Sequence, residues 1–438
     1  MVQEKVENLT GGAPVGPSSQ NDNEVTSGRK NQSILKILSN KGFLLMFASF
    51  ILLMLGSRFV NVGLLVHATE DLFLDQVVIG TVLGTFSLFS MITRPFAAIF
   101  SDRINRKRIL IVAVSIVTIS TAGFGFAVDY AQMYFCMFLK GVGCALFICA
   151  SGVMIADIIG RQDLGFASGV FLLGPTIGES IASAICLALA DAVGFTITFI
   201  VGAVINVVGI ICACLIPYKQ QKRKDLEGET VWQKIKGIRI HDFITKECIP
   251  IGMLQFIIQM LSFMVGVSFL VMFGRIDLGI ANLGIAVTIS GIIQYFTRPV
   301  FGRIMDKYGA RWCVYPCLFG FIAVGLIYYF AQDFITVLIG SVVYGVVCGG
   351  FSLPGKVLAL KRADPNHMSA GTQTNGILSD FGQTIGNMIV PFIAVTIGGG
   401  FYRPTYLFVV GIAVIGILYA FIYSKLYLKR HPNNEIGW

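Results

Sequence analysis

Long apolar runs follow one another from residue 43 to residue 427, broken by short polar segments. The runs are continuous rather than alternating, so they predict helices and not the strands of a barrel. Each is close to the roughly 20 residues that cross a bilayer. The pattern places helices at 43–67, 77–100, 108–128, 132–158, 165–190 and 195–217. A polar stretch intervenes, and a second set follows at 248–273, 280–302, 312–330, 334–360, 370–396 and 404–427. The expected organisation is a polar tail (1–40), a six-helix bundle (41–217), a linker (218–247), a second six-helix bundle (248–428) and a short tail (429–438). The predicted fold is therefore an all-α membrane protein with twelve transmembrane helices in two pseudo-symmetric bundles.

The polar breaks alternate in charge. One set holds Asp102–Arg108, Gly160–Asp163, Lys219–Lys246, Arg303–Arg311, Lys361–His367 and Lys425–Arg430. The other holds Glu70, Asp71, Asp75, Asp129, Asp191, Asp277 and Asp333, with Arg275 and Arg403 as its basic residues. Basic loops stay on the cytoplasmic side, so both termini are expected there, most simply in a bacterial plasma membrane. Residues 1–40 lack the apolar core of a signal peptide and read as a disordered cytoplasmic tail. In the linker, Val231, Ile235 and Ile238 recur at helical spacing beside Lys234, Lys236 and Arg239, which suits a short amphipathic helix at the membrane surface.

Composition agrees. Hydrophobic residues are 55% and charged residues 13% of the chain, with a mean hydropathy of +0.77. Soluble domains carry about 25% charge, so lipid is the expected solvent. The net charge of +9 follows from loop topology and implies no nucleic-acid partner. The ten cysteines lie in or beside apolar runs without a CxxC pair, and the four histidines are scattered. No metal, cofactor or disulfide framework is expected. No nucleotide-binding glycine loop or nucleophile motif points to an enzyme or an ATP-driven pump.

One pattern occurs twice. Thr93-Arg94-Pro95 leads to Asp102, Arg103, Arg106 and Lys107, and Thr297-Arg298-Pro299 leads to Asp306, Lys307, Gly309 and Arg311. The copies are 204 residues apart, close to half the chain. Paired halves with membrane-length segments are the signature of a secondary transporter. The pattern resembles the loop signature of the major facilitator superfamily, G-x-x-x-D-(R/K)-x-G-(R/K)-(R/K), and the resemblance covers about residues 40–430. The second copy keeps Gly302 and Gly309, whereas the first has Ala98 and Asn105 in those places. Asn105 is expected to take the left-handed turn that glycine would supply. The resemblance implies that Asp102, Arg103, Arg106, Asp306, Lys307 and Arg311 form gate latches. Arg94 and Arg298, beside the paired prolines, are expected to be gating or structural groups.

Gly174-Pro175-Thr176-Ile177-Gly178-Glu179 is similar to the helix-5 motif G-P-x-x-G-G of drug–proton antiporters, with Glu179 in place of the last glycine. Small residues there permit close helix contact. The helix-4 pattern of such antiporters, R-x-x-q-G, is not kept. Met137 stands where arginine would, and Lys140 precedes Gly141.

Ionisable groups inside a spanning helix are costly and point to function. At 1.5 Å per residue, Glu179 lies about 21 Å along its helix and Asp380 about 15 Å, both near mid-membrane. Both are candidates for proton coupling. Arg58 and Lys140 are candidates to hold a polar or anionic part of a solute, and either could instead pair with Glu179 or reach the outer headgroups. Lys356 is expected to snorkel to the cytoplasm. Asn61, Gln255 and Gln259 are candidate polar contacts. The expected activity is alternating-access transport of a small organic solute by a monomer in the lipid bilayer, driven by protons or another coupling ion. Proton-coupled efflux leads, and proton-coupled uptake of an organic anion is the alternative. A channel or a membrane enzyme is the remote reading.

Overall fold

The computed structural model describes residues 39–159, 170–171, 173–218, 248–280, 283–351, 355, 358 and 368–430. The N-terminal tail, the linker helix and Lys356 lie outside the described residues. The first half comprises α1 (Lys41–Val66, prolonged by a π-helical turn, His67–Asp71), α2 (Gln76–Arg103), α3 (Arg106–Phe124), α4 (Tyr130–Ile159), α5 (Leu173–Val193) and α6 (Phe195–Leu215). The second half comprises α7 (Ile249–Met264), α8 (Val267–Asp277), α9 (Gly284–Tyr308), α10 (Arg311–Phe330), α11 (Phe334–Phe351), α12 (Met368–Thr396) and α13 (Arg403–Arg430). Together α7 and α8 make one crossing, so the helices supply twelve crossings.

Polar side chains set several helix starts. Asn40 accepts from the backbone N–H of Gly42 and Phe43, and Asp75 accepts from that of Val77. Each satisfies donors that the first helical turn leaves without partners. Asn105 behaves in the same way. Its φ of −58° is not left-handed, and its side chain accepts from the N–H of Lys107 to cap α3. The expectation of a left-handed turn there is corrected, because the carboxamide finds a better use as a cap. The matching Gly309 does take φ 90° at the end of α9.

The run at 248–273 predicts one helix, but the chain breaks after Met264. Gly266 adopts φ −59° and ψ 164° and starts α8 afresh. A Cβ there would lie 2.9 Å from the carbonyl oxygen of Phe263, so the kink needs glycine. Nine described stretches are long and apolar enough to cross a bilayer on composition alone. The other crossings are α9, α11 and α12. Of these, α9 carries Gln294 and Arg298, and α12 carries Asp380, Gln383 and Asn387, which place polar groups towards the molecule's centre.

The halves repeat each other in backbone contacts. A Cβ on Gly141 of α4 would stand 2.5 Å from the carbonyl oxygen of Phe86 on α2. A Cβ on Gly345 of α11 would stand 2.6 Å from that of Ser290 on α9. Both pairs are separated by the same 204 residues. Gly178 of α5 lies against the backbone of α1 at Leu55, and Gly382 of α12 lies against that of α7 at Phe256. Close approach of this kind replaces hydrophobic drive in a bilayer.

The two halves meet along α2 with α12, α5 with α9, and α1 with α8. Residues 67–75, 125–129, 278–280 and 331–333 mark the acidic-loop end of the molecule, and 104–105 with 216–218 mark the basic-loop end. The larger buried apolar cluster joins both halves and includes Val66, Ile79 and Leu187 near the acidic-loop end of the first half. A separate cluster around Phe43, Phe50, Leu110 and Met154 fills the basic-loop end of the first half alone.

Candidate functional site

A cavity of about 210 Å³ lies between the halves. The first half contributes Arg58 and Asn61 from α1, Phe86 from α2, and Thr176 and Glu179 from α5. The second contributes Gln259 and Ser262 from α7, Ser290, Gln294 and Arg298 from α9, Tyr344 from α11, and Gln383 and Asn387 from α12. Among the described lining residues the charged ones are Arg58, Glu179 and Arg298. Arg58 and Glu179 form an ion pair of 3.2 Å, with side chains 22% and 32% exposed. Gly178 brings α5 onto α1 and so sets this pair, because the neighbouring residue is held within reach of the next turn of α1.

A second ion pair crosses between the halves away from the cavity lining. Arg94 of α2 donates from Nε to Asp380 Oδ2 at 2.6 Å and from Nη2 to Oδ1 at 2.9 Å. Ser90 Oγ adds a third donor at 3.3 Å. The fork geometry is the strong form of a guanidinium–carboxylate contact. Asp380 is 9% exposed, so the carboxylate is fully dependent on these donors.

At the acidic-loop end, Arg275 of α8 bonds Glu70 at 2.5 Å and Asp191 at 3.5 Å. It thereby bridges the ends of α1 and α5. Tyr402 Oη donates to Gln76 Oε1 at 3.1 Å, and Ser268 Oγ donates to the Asn61 carbonyl. These contacts join the two halves on that side.

At the basic-loop end, Arg106 donates to Asp157 at 2.5 Å and to Tyr218 at 3.3 Å. Tyr218 in turn donates to Asp157. Burial, and then the hydrogen bond to Asp157, push the Tyr218 phenol up to about 12, so it remains a donor. Lys107 Nζ donates to the carbonyl of Ile216 at 2.8 Å. This cluster ties α3, α4 and the end of α6 within one half.

A family model described as Major Facilitator Superfamily matches residues 46–281 and 251–436. The chain belongs to the Major Facilitator Superfamily. It is similar to multidrug resistance protein 2 of Bacillus subtilis (strain 168), with 23% identity over 302 residues, covering 64% of this chain and 72% of that one. It is also similar to the quinolone resistance protein NorA of Staphylococcus aureus (strain COL), with 22% identity over 412 residues, covering 90% and 100%. In fold it matches the crystal structure of the nucleoside transporter NupG, at TM-score 0.70 and 14% identity over 89% of this chain and 99% of that one. It likewise matches a bacterial homologue of the human lysosomal transporter Spinster, at TM-score 0.73 and 15% identity over 89% and 97%. Superfamily members are transporters and not enzymes.

Within this superfamily fold, the structure brings Arg58, Asn61, Glu179 and Gln259 together at the cavity. It also puts Arg298 on the cavity wall, where the sequence pointed to a gating group. Lys140 is 1% exposed and does not line the cavity. It lies between α4 and α1, donating to the Ser57 carbonyl at 2.8 Å and to Asn61 Oδ1 at 2.5 Å. Gln255 is likewise buried away from the cavity, beside Gly355. The structure thus places Lys140 and Gln255 among packed groups off this cavity wall. Arg106 and Lys107 hold one half together. The side chains of Asp102, Arg103 and Asp306 lie outside the described residues. Lys307 sits over the Tyr308 ring at 5.1 Å, and Arg311 begins α10. Sequence reasoning did not single out Asp157, Tyr218 or the Arg275 bridge. The signal for Arg275 was present, as one of two basic residues on an otherwise acidic face.

Proposed function

We propose that the chain is a proton-coupled secondary transporter of a small organic solute, alternating between states in which its two bundles open at opposite ends. The observation that carries this reading is the Arg94–Asp380 pair across the α2–α12 interface. Separating the bundles there would strand a buried carboxylate, which costs about 3–5 kcal/mol. Protonation of Asp380 removes that cost and ties bundle movement to a proton. Glu179, whose carboxylate faces the cavity, is the second coupling group. Arg275 with Glu70 and Asp191 serves as the gate at the acidic-loop end. The repeated loops, with Asp102, Arg103, Asp306, Lys307 and Arg311, serve at the other, and Arg106 braces the first of them within its own half. The acidic loops face outward and both termini face the cytoplasm of a bacterial cell, following loop charge. Residues 41–217 and 248–428 are the moving units, joined by the linker 218–247, and the working unit is a monomer.

The names of the resistance-protein relatives and the Gly174–Gly178 motif support solute efflux by proton antiport. A second reading, co-transport of a proton with an organic anion, is favoured by the two arginines on the cavity wall. Purified protein in liposomes with an imposed pH gradient tests the shared claim. Wild-type protein is expected to move solute against its gradient. Asp380→Asn, if it folds and melts like wild type, is expected to keep solute exchange but lose pH-driven accumulation. Full pH-driven accumulation by both Asp380→Asn and Glu179→Gln would overturn the coupling assignment.

A further inference from the structure

The cavity holds two guanidiniums and one carboxylate, a net charge of +1 among its described lining residues. Its carboxylate is not sealed away like Asp380. Glu179 touches Arg58 through one contact of 3.2 Å, and a third of its side chain is exposed. The remaining polar wall is neutral and rich in hydrogen-bonding groups, including Gln259, Gln294, Gln383 and Tyr344. At about 210 Å³ the space lies below the roughly 300–1,000 Å³ of drug-sized ligand pockets, so its occupant is small.

We propose that this cavity takes a small organic monoanion whose carboxylate replaces Glu179 on Arg58, with Glu179 taking up a proton in the exchange. The inference rests on the second reading above and names its solute class. Glu179 is itself a carboxylate in the position that the solute group would occupy. Arginine's planar fork suits that group. A cationic solute would have to lose its water beside Arg58 and Arg298, whereas an anionic one meets them as hydrogen-bond donors.

The exchange balances in charge. Before it, Glu179 carboxylate faces Arg58. Afterwards, Glu179 carries the proton on its carboxyl and the solute carboxylate faces Arg58. One proton and one anion have entered, so the cavity keeps its +1. The exchange at this site therefore adds no net charge to the carrier. Each ligand also favours the other, since the proton frees Arg58 and the anion removes the partner that opposes protonation. By linkage that coupling is reciprocal. It produces movement of proton and anion in the same direction.

The test uses full-length purified protein, with sodium lactate, gluconate and benzoate as probes. Sodium chloride, lactamide and ethidium serve as controls. Binding is read from thermal stabilisation and from calorimetry between pH 5.5 and 7.5. At least one carboxylate is expected to bind, with affinity falling up to tenfold per pH unit as pH rises. Glu179→Gln is expected to bind it with no pH dependence and no more weakly than wild type does at pH 5.5. Arg58→Lys is expected to weaken it at least tenfold, while melting within a few degrees of wild type. In liposomes, uptake of that carboxylate is expected to carry protons. Three results would each overturn the inference: no carboxylate binds, carboxylate binding is indifferent to pH, or ethidium alone binds and is displaced by protons. Proton-driven ethidium flux would sink the anion assignment and leave the transporter reading intact. Proton-linked carboxylate binding without flux would do the reverse.

Discussion

Arg94 grips Asp380 from the opposite bundle with two parallel hydrogen bonds, 2.6 and 2.9 Å long. The pair spans the α2–α12 interface. Further along the same interface, Gly80 lies on Pro391 and Gly84 lies on Met388. Removing one partner should be worse than removing both, because a lone buried charge has no compensation. Arg94→Ala is expected to lower stability by about 3–5 kcal/mol. The double variant Arg94→Ala/Asp380→Asn is expected to recover at least half of that loss. Thermal or denaturant unfolding of the two singles and the double closes the cycle. Additive losses would show that the pair contributes no coupling.

Lys140 is held by the Ser57 carbonyl and by Asn61 Oδ1, while Asn61 itself lines the cavity. Its influence on solute therefore passes through Asn61. Lys140→Met keeps the volume and removes both two hydrogen bonds and a buried charge, effects of opposite sign on stability. The melting temperature is expected to move by only a few degrees. The expected kinetic change is a higher KM with kcat nearly kept, reproduced by Asn61→Ala. A fall in kcat at constant KM would mean that Lys140 does more than orient Asn61.

Much of the fold was legible because membrane burial imposes a strong code. Length, hydropathy and loop charge delimit helices such as α6 and α13 to within a few residues, and the repeat at Asp102 and Asp306 announces two related halves. What the chain does not spell out is the rotation of each helix. Depth along an axis follows from counting residues, so Glu179 and Asp380 could both be placed near mid-membrane. Azimuth does not follow. Lys140 falls at membrane depth on α4, yet its side chain turns onto α1 and does not line the cavity. Arg94 and Arg298 are equivalent in the repeat, yet one clasps the opposite bundle and the other lines the cavity wall. The difference arises because α12 presents Asp380 to Arg94, whereas the matching position on α5 is Thr176 and the acid comes three residues later, at Glu179.

Gly141 and Gly345 make the repeat testable. An added Cβ would stand 2.5 Å from one carbonyl oxygen and 2.6 Å from the other, too close without moving a helix backbone. Gly141→Ala and Gly345→Ala are each expected to destabilise by about 1–3 kcal/mol, as overpacking does. Gly411 lies within α13 with nothing inside 4 Å. There Gly411→Ala is expected to be neutral or to stabilise by up to about 1 kcal/mol through helix propensity. Melting temperatures of the three variants decide the matter. Equal behaviour at all three positions would contradict the close-contact argument.

Arg275 bridges Glu70 and Asp191 where both acids are substantially exposed, at 42% and 53%. Exposed pairs are worth only about 0–1 kcal/mol, so Arg275→Ala should barely change the melting temperature. The same 1 kcal/mol matters more when two conformations are nearly balanced, since it shifts their ratio roughly fivefold. Arg275→Ala is thus expected to raise the share of molecules open at the acidic-loop end. Raised ionic strength should mimic it in wild-type protein by screening the bridge. The measurement is the rate at which a maleimide labels a cysteine introduced at Asn61, inside the cavity, from the acidic-loop side in sealed vesicles. The background for that assay replaces the ten native cysteines and is checked for retained transport. A several-fold faster rate in Arg275→Ala and in high salt supports a gate. Unchanged labelling under both conditions would leave the bridge as a surface contact without influence on access.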